Sequence, residues 1–328
     1  MTRNPRVILH NPQPAPAAVL MVLTMVLTAC QGASPAIPVP TSTMEKTLTA
    51  TLPAPTPAIE TPITEPTPTI EAAIEVYNPA KPDSWVYLPV IPETVSQRVR
   101  DIYEKGKTSG LDQQAFSKVG DCETFSPYFL APFDMNKNGY RLGAFSSLDT
   151  VITAYAGSFE RTSMAAKSGF SVASVFASVW ADPAVCRSGE SPLVCETRVH
   201  RPAIMLIMFG TNDVNTSSRE GFEDNLNDLL DYAMFNNVVP VLVTKADNLE
   251  GDNSINAIIA RVAYQYEMPL LNLWRAMQEL PDGGLEKDQI HLTYAQPFFD
   301  EPANMLKGWP VRNLVTLQML EFLHNKLE

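Results

Sequence analysis

Residues 203–213 read Ala-Ile-Met-Leu-Ile-Met-Phe-Gly-Thr-Asn-Asp: seven apolar side chains in succession, then glycine and three polar residues. A surface helix interrupts its apolar face every few residues, and a half-buried strand alternates. This run does neither, so it reads as a strand covered on both faces, as in the middle of a parallel sheet. The chain around it alternates in type. Residues 222–235 carry Phe222, Leu226, Leu229, Leu230 and Ala233 at helical spacing, opened by Glu220 and Glu223 where the helix dipole favours acids. Residues 238–243 (Val-Val-Pro-Val-Leu-Val) form a strand in which Pro240 is the discordant residue. Residues 255–266 follow as a helix, 270–273 as a strand and 311–326 as a closing helix. Upstream, residues 116–120 make a short strand and 164–167 a possible one, ahead of an apolar helix marked by Val172, Val175, Phe176 and Val179. Such alternation predicts parallel βαβ units with right-handed crossovers, an α/β fold whose function lies at the carboxyl ends of its strands.

Four short blocks fall at those ends. Strand 116–120 runs into Gly120-Asp121-Cys122, and strand 203–209 into Gly210-Thr211-Asn212-Asp213. Ser168-Gly169 closes the possible strand 164–167, and Asp288-Gln289-Ile290-His291 precedes the final helix. Taken together and in this order, the blocks resemble those of the SGNH (GDSL-type) hydrolase family, which carries a GDS block, a glycine block, a GxND block and a DxxH block. The resemblance covers the folded unit and implies a three-layer α/β/α sandwich with a mostly parallel, flavodoxin-like sheet. It departs from the family at one position: Cys122 stands where the nucleophilic serine belongs.

By position, the resemblance makes Cys122 the nucleophile, His291 the general base and Asp288 the group that orients it. The backbone N–H groups of Cys122 and Gly169 and the amide of Asn212 would form an oxyanion hole. The chemistry is coherent, since acyl transfer needs a nucleophile, a base that titrates near neutrality and fixed donors for the developing oxyanion. Each residue also has a plainer role open to it: Asn212 as a helix cap, Gly169 as a turn, Asp288 as a loop former. Cys122 is either the nucleophile of a thioester route or the mark of a site that has lost its chemistry and keeps its cleft for binding. Glu123 beside it opposes thiolate formation, and no resolving cysteine lies near enough in sequence to favour redox sensing. His200 and His324 are expected to be structural.

The N-terminus carries Arg3 and Arg6, no acidic residue before Cys30, and an apolar run over residues 17–27. The run is too short to span a bilayer comfortably. It ends in Leu27-Thr28-Ala29-Cys30, which resembles a bacterial lipobox. The expected organisation is a signal peptide over 1–30 with Cys30 lipidated, a tether over 31–82 and a hydrolase-like domain over 83–328. Eleven of the 28 prolines fall within the tether, interleaved with Thr, Ala and Glu, a composition that cannot bury a core. The net charge of -12 becomes -14 if Arg3 and Arg6 leave with the peptide, which excludes a phosphate-binding basic face and hence nucleic acid as a partner. In an extracytoplasmic cell-envelope compartment, Cys186 and Cys195 are expected to form a local disulfide. The histidines lack metal-ligand spacing and no glycine-rich phosphate cradle follows a strand, so neither metal nor cofactor is expected. The partners implied are a membrane, through Cys30, and a small-molecule or glycan ester, acted on by a hydrolase or acyltransferase or merely bound by an inactive module. Oligomeric state has no signature in the sequence.

Overall fold

The computed structural model describes residues 77–135 and 137–328. Cys30 and its lipobox, the apolar run 17–27, His10 and residues 31–76 of the expected tether lie outside the described residues. Tyr77 is buried, and its ring meets that of Tyr264 at a tilt with centroids 5.0 Å apart. No helix among the described residues is long and apolar enough to cross a membrane.

Four parallel strands form one sheet in the order β1 (Asp112–Gly120), β2 (Pro202–Met208), β3 (Val239–Val243) and β4 (Leu270–Leu271). All seven residues of β2 are buried, as its unbroken apolar run requires. β1 starts four residues before the predicted 116. Its polar opening, Asp112-Gln113-Gln114, pairs with β2 only through Asp112 and Pro202, before a register shift to Phe116 against Ile204. The possible strand at 164–167 survives as a single parallel bridge between Gly120 and Ala166 on the free edge of β1. The Gly120 N–H donates to Ala165 O (3.1 Å) and the Lys167 N–H to Gly120 O (3.2 Å). Counting that segment, the spatial order in chain sequence is 2-1-3-4-5, the doubly wound order whose crevice opens where the winding reverses, between the ends of β1 and β2.

Pro240 is accommodated by the shortness of β4. The N–H groups of Leu242 and Thr244 point toward β4, donating to Pro269 O (3.0 Å) and Leu271 O (3.1 Å). By alternation the Pro240 nitrogen faces the same side two residues earlier, where β4 has not begun, so no ladder bond is lost. β4 itself stops after two residues rather than four. Asn272 turns the chain by accepting from the Arg275 N–H, capping the helix Leu273–Met277.

Helix Arg219–Phe235, capped by Ser218, buries the five apolar residues that predicted it and packs on Ser254–Tyr266. The terminal helix Gly308–Leu327 packs on Asp149–Ala154 and Leu273–Met277, and Arg100 of Gln97–Thr108 donates to Lys326 O at its end. With helices on both faces, the sheet is the middle of a three-layer α/β/α sandwich. The helix expected across Val172–Val179 is instead two 3₁₀ turns, Val172–Phe176 and Ser178–Trp180, with Val179 exposed. Ser171 and Ser174 form a capping box that starts the first turn (Ser171 N–H to Ser174 Oγ, 3.1 Å), but the backbone turns extended at Ala177 (φ -89°, ψ 112°) and breaks the run in two. The Cys186–Cys195 disulfide is formed, with Cα atoms 5.3 Å apart, and ties its loop to helix Pro192–His200.

Candidate active site

The nucleophile turn is dictated by contact at the end of β1. A Cβ on Gly120 would lie 2.4 Å from both Met208 O and Thr124 Oγ1, so only glycine lets the strand end this close to the turn that follows. Asp121 then caps the short helix Cys122–Phe125, its side chain accepting from the Glu123 N–H (3.1 Å). Cys122 is the first helical residue, and its N–H finds no protein acceptor among the described residues.

Two buried carboxylates flank the thiol. Asp121 is 0% and Glu123 5% exposed, and the cation facing both is Arg312 of the terminal helix, 1% exposed. Arg312 donates to Glu123 O (2.8 Å) and Thr124 Oγ1 (3.4 Å), lies 3.6 Å from the Glu123 carboxylate and stacks over Phe129 at 4.0 Å. Burial pushes the Asp121 carboxyl up to about 7 despite the arginine, and raises Glu123 as well. Burial, then the charges of Asp121 and Glu123, push the Cys122 thiol up to about 12. The expected opposition of Glu123 to thiolate formation is therefore present, with Asp121 beside it. At pH 7 such a thiol is ionised to roughly one part in 10⁵.

The glycine and GTND blocks are locked to each other. The Asn212 amide donates to Phe170 O (2.8 Å), and the Asp213 carboxylate accepts from the Val172 N–H (3.0 and 3.3 Å). Asp213 is fully buried, and burial pushes its carboxyl up to about 6 against the pull of those N–H donors. Asn212 stands at the N-cap position of Asp213–Thr216 but makes no side-chain cap bond, so capping is not its role. Its second amide proton remains for a ligand. Gly169 has φ +84°, a conformation that favours glycine, and its N–H has no protein acceptor among the described residues.

The DxxH block folds on itself. Asp288 Oδ1 accepts from the N–H groups of Ile290 and His291 (both 3.0 Å), and Oδ2 lies 2.6 Å from His291 Nδ1. The Glu286 N–H closes the loop onto His291 O at 2.7 Å. The imidazole holds the Asp288 carboxyl down at about 2, and the carboxylate in turn raises His291 above its ordinary value, with Glu123 and Asp121 adding to the rise. Both side chains are half-exposed. Glu123 and Arg312 line one small cavity together with Ile290 and Leu292, which brings the base loop to the nucleophile turn. No hydrogen bond joins the Cys122 thiol to the His291 ring among the described residues.

The other described histidines are structural. His200 bonds Phe116 O (3.0 Å) and Ser158 Oγ (3.3 Å), while His324 meets Tyr155 edge-on, with centroids 6.1 Å apart. Arg312 was not legible as part of the site, although a signal existed: Arg312 and Asn313 interrupt the apolar surface formed by Trp309, Val311, Leu314 and Val315.

No protein-family model and no curated protein matches the chain. Among solved structures the chain is similar to a psychrotrophic esterase from Pseudoalteromonas sp., at 13% identity and TM-score 0.40, over 65% of this chain and 100% of that one. An acetyl xylan esterase from Geobacillus stearothermophilus is similar at 14% identity and TM-score 0.42, over 65% and 95%. A GDSL-like lipase from Bacteroides thetaiotaomicron is similar at 15% identity and TM-score 0.38, over 68% and 98%.

Proposed function

We propose that the folded unit is an acyl-ester hydrolase or acyltransferase that works by a Cys122–His291–Asp288 relay, held at a membrane surface by lipid on Cys30. The observation that carries this reading is the 2.6 Å Asp288–His291 bond, which fixes the ring through Nδ1 and leaves Nε2 as a base on a loop that shares a cavity wall with Glu123. In the first step the Cys122 sulfur bonds to the ester carbonyl carbon while its proton passes to His291 Nε2. The oxyanion takes the free N–H groups of Cys122 and Gly169 and the spare proton of Asn212. Collapse breaks the ester C–O bond, His291 returns the proton to the departing alcohol, and water or a second alcohol resolves the thioester. Because the resting thiol is neutral, proton removal and attack must be concerted, as for serine, rather than proceed from a stored thiolate. An O-acylated carbohydrate is the substrate class we favour, since an acidic surface does not attract anionic polymers other than through a dedicated site.

The high thiol pKa and the absent thiol–imidazole bond favour a second reading, in which the cleft binds an ester or glycan without turning it over. Hydrolysis of short-chain aryl esters by the wild type, Cys122→Ala and Cys122→Ser separates the two. The first reading expects turnover that iodoacetamide and the alanine variant both abolish. Equal turnover by wild type and Cys122→Ala would sink it. Activity in the serine variant alone would mean that the thiol has disabled an otherwise complete site.

A further inference from the structure

Beside the nucleophile turn, between residues 124–127 and 160–166, lies a cavity of about 310 Å³. Lys118, from the buried part of β1, lines it and is only 6% exposed. Its ammonium has three protons to donate, and the protein supplies one acceptor, Phe159 O at 2.7 Å. No carboxylate pairs with it among the described residues. The surrounding charges are engaged elsewhere. Arg161 is paired with Glu196, which also takes the Ser117 hydroxyl and the Met164 N–H. Asp134 accepts from the N–H groups of Gly157, Phe159 and Glu160 at 2.8–2.9 Å, and Arg312 serves Glu123. A buried cation with donors left unmade and open space beside it is costly unless a ligand completes it.

The geometry points to this cavity as a subsite for a carboxylated sugar, the carboxylate on Lys118 and the hydroxyls on the polar rim. Ser126 and Ser163 line the cavity with oxygens that accept backbone N–H bonds from Tyr128 (3.2 Å) and Ala165 (3.1 Å), so their own protons are free to donate. Glu160, also lining it, offers an acceptor for sugar hydroxyls, and the half-exposed Phe125 ring offers an apolar face. The volume is at the low end of ligand pockets, which suits one monosaccharide ring. The inference rests on the ester-directed reading only for its biological use: it names an acidic glycan as the ester's carrier.

Burial, with Arg161 as a further cause, lowers the Lys118 pKa to about 8, while Asp134 and Glu196 oppose the fall. A carboxylate binds the charged form, so affinity is full below that value and declines as pH rises through it. The test is calorimetric titration of the full chain with glucuronate, glucose and acetate at pH 6.5 and 9. Glucuronate should bind more tightly than either of the others and more weakly at pH 9. Lys118→Met should raise its Kd at least about tenfold, the loss of one charge-assisted bond. Glu160→Gln, at the exposed rim, should lower it about twofold by removing a repulsive charge. Should Lys118→Met fail to fold, the rim variant and the pH dependence decide. Glucose binding as well as glucuronate, or a glucuronate Kd indifferent to Lys118 and to pH, overturns the inference. Turnover of a neutral aryl ester by the wild type, measured alongside, tests the hydrolase reading without the subsite. A fall of the subsite is thus separable from a fall of the hydrolase reading.

Discussion

Cys122 opens a helix whose flanking carboxylates are almost wholly buried and answer to an arginine 189 residues further along the chain. His291 sits in a loop whose bonds to Asp288 and Glu286 come from within five residues, and its side chain is 53% exposed. One partner of the proposed pair is thus fixed by the tertiary fold and the other by its own sequence neighbours. The difference has a physical consequence. Buried charges are stable only while paired, whereas an exposed hydrogen-bonded loop can lose a partner to water at little cost. Damage to the nucleophile turn should therefore register as lost stability, and damage to the base loop as lost chemistry.

The sharpest way to break this contrast is Arg312→Met. The apolar replacement keeps the stacking volume over Phe129 and strands Asp121 and Glu123 without a counter-charge. Removing one partner of a buried pair costs about 3–5 kcal/mol, which at this domain size lowers Tm by roughly 10 °C. The loss should grow with pH. With the arginine gone, the folded-state pKa values of both acids rise further above their unfolded values. The folded state then holds protons that the unfolded state releases, and stability falls as pH climbs from 5 to 8. Thermal denaturation at those two pH values checks both statements. A Tm within about 2 °C of the wild type would show that the cluster is not the anchor assigned to it.

Asp288→Asn should do the reverse. The amide keeps the loop's shape but cannot stabilise an imidazolium, so kcat/KM toward an aryl ester should drop about 10²-fold. The drop is smaller than for a buried triad aspartate because solvent reaches both side chains. Tm should move by no more than about 2 °C, as for an exposed ion pair. Equal losses of stability in the Asp288 and Arg312 variants would erase the distinction between turn and loop.

The same distinction explains what could be read from the sequence. The DxxH loop was legible because its geometry is local: an aspartate three residues before a histidine closes an Asx turn that any such sequence can form. β2 was legible because burial on both faces leaves no polar position in it. The apolar pattern of Val172, Val175, Phe176 and Val179 misled because the backbone turns extended at Ala177, splitting the run into two 3₁₀ turns and leaving Val179 in solvent. The possible strand at 164–167 shrank to one bridge at a sheet edge, where no second neighbour enforces extension. The charge around Cys122 was only half legible. Glu123 was visible as a neighbour, but Asp121 as a second buried acid and Arg312 as their common cation are products of long-range packing, and no spacing rule reaches that far.

The finest test is Glu123→Gln, because Glu123 is the residue that belongs to both regions. Its charge raises the thiol of Cys122 and the imidazolium of His291 together. The amide should leave the fold intact, since Asp121, relieved of a neighbouring negative charge, ionises more readily and stays opposite Arg312. With the charge gone, His291 releases its proton at lower pH, so the acid limb of the kcat/KM profile should move down by roughly half a unit. The thiol should likewise ionise more readily than at about 12, and alkylation of Cys122 by iodoacetamide at fixed pH should quicken severalfold. Movement of both readouts would mean that one buried carboxylate sets the proton affinity on each side of the proposed transfer. If only the His291 limb moves, Glu123 acts on the exposed loop alone and the thiol's high pKa comes from burial. Cys122 would then need a substrate to displace water or reposition it before His291 could take its proton.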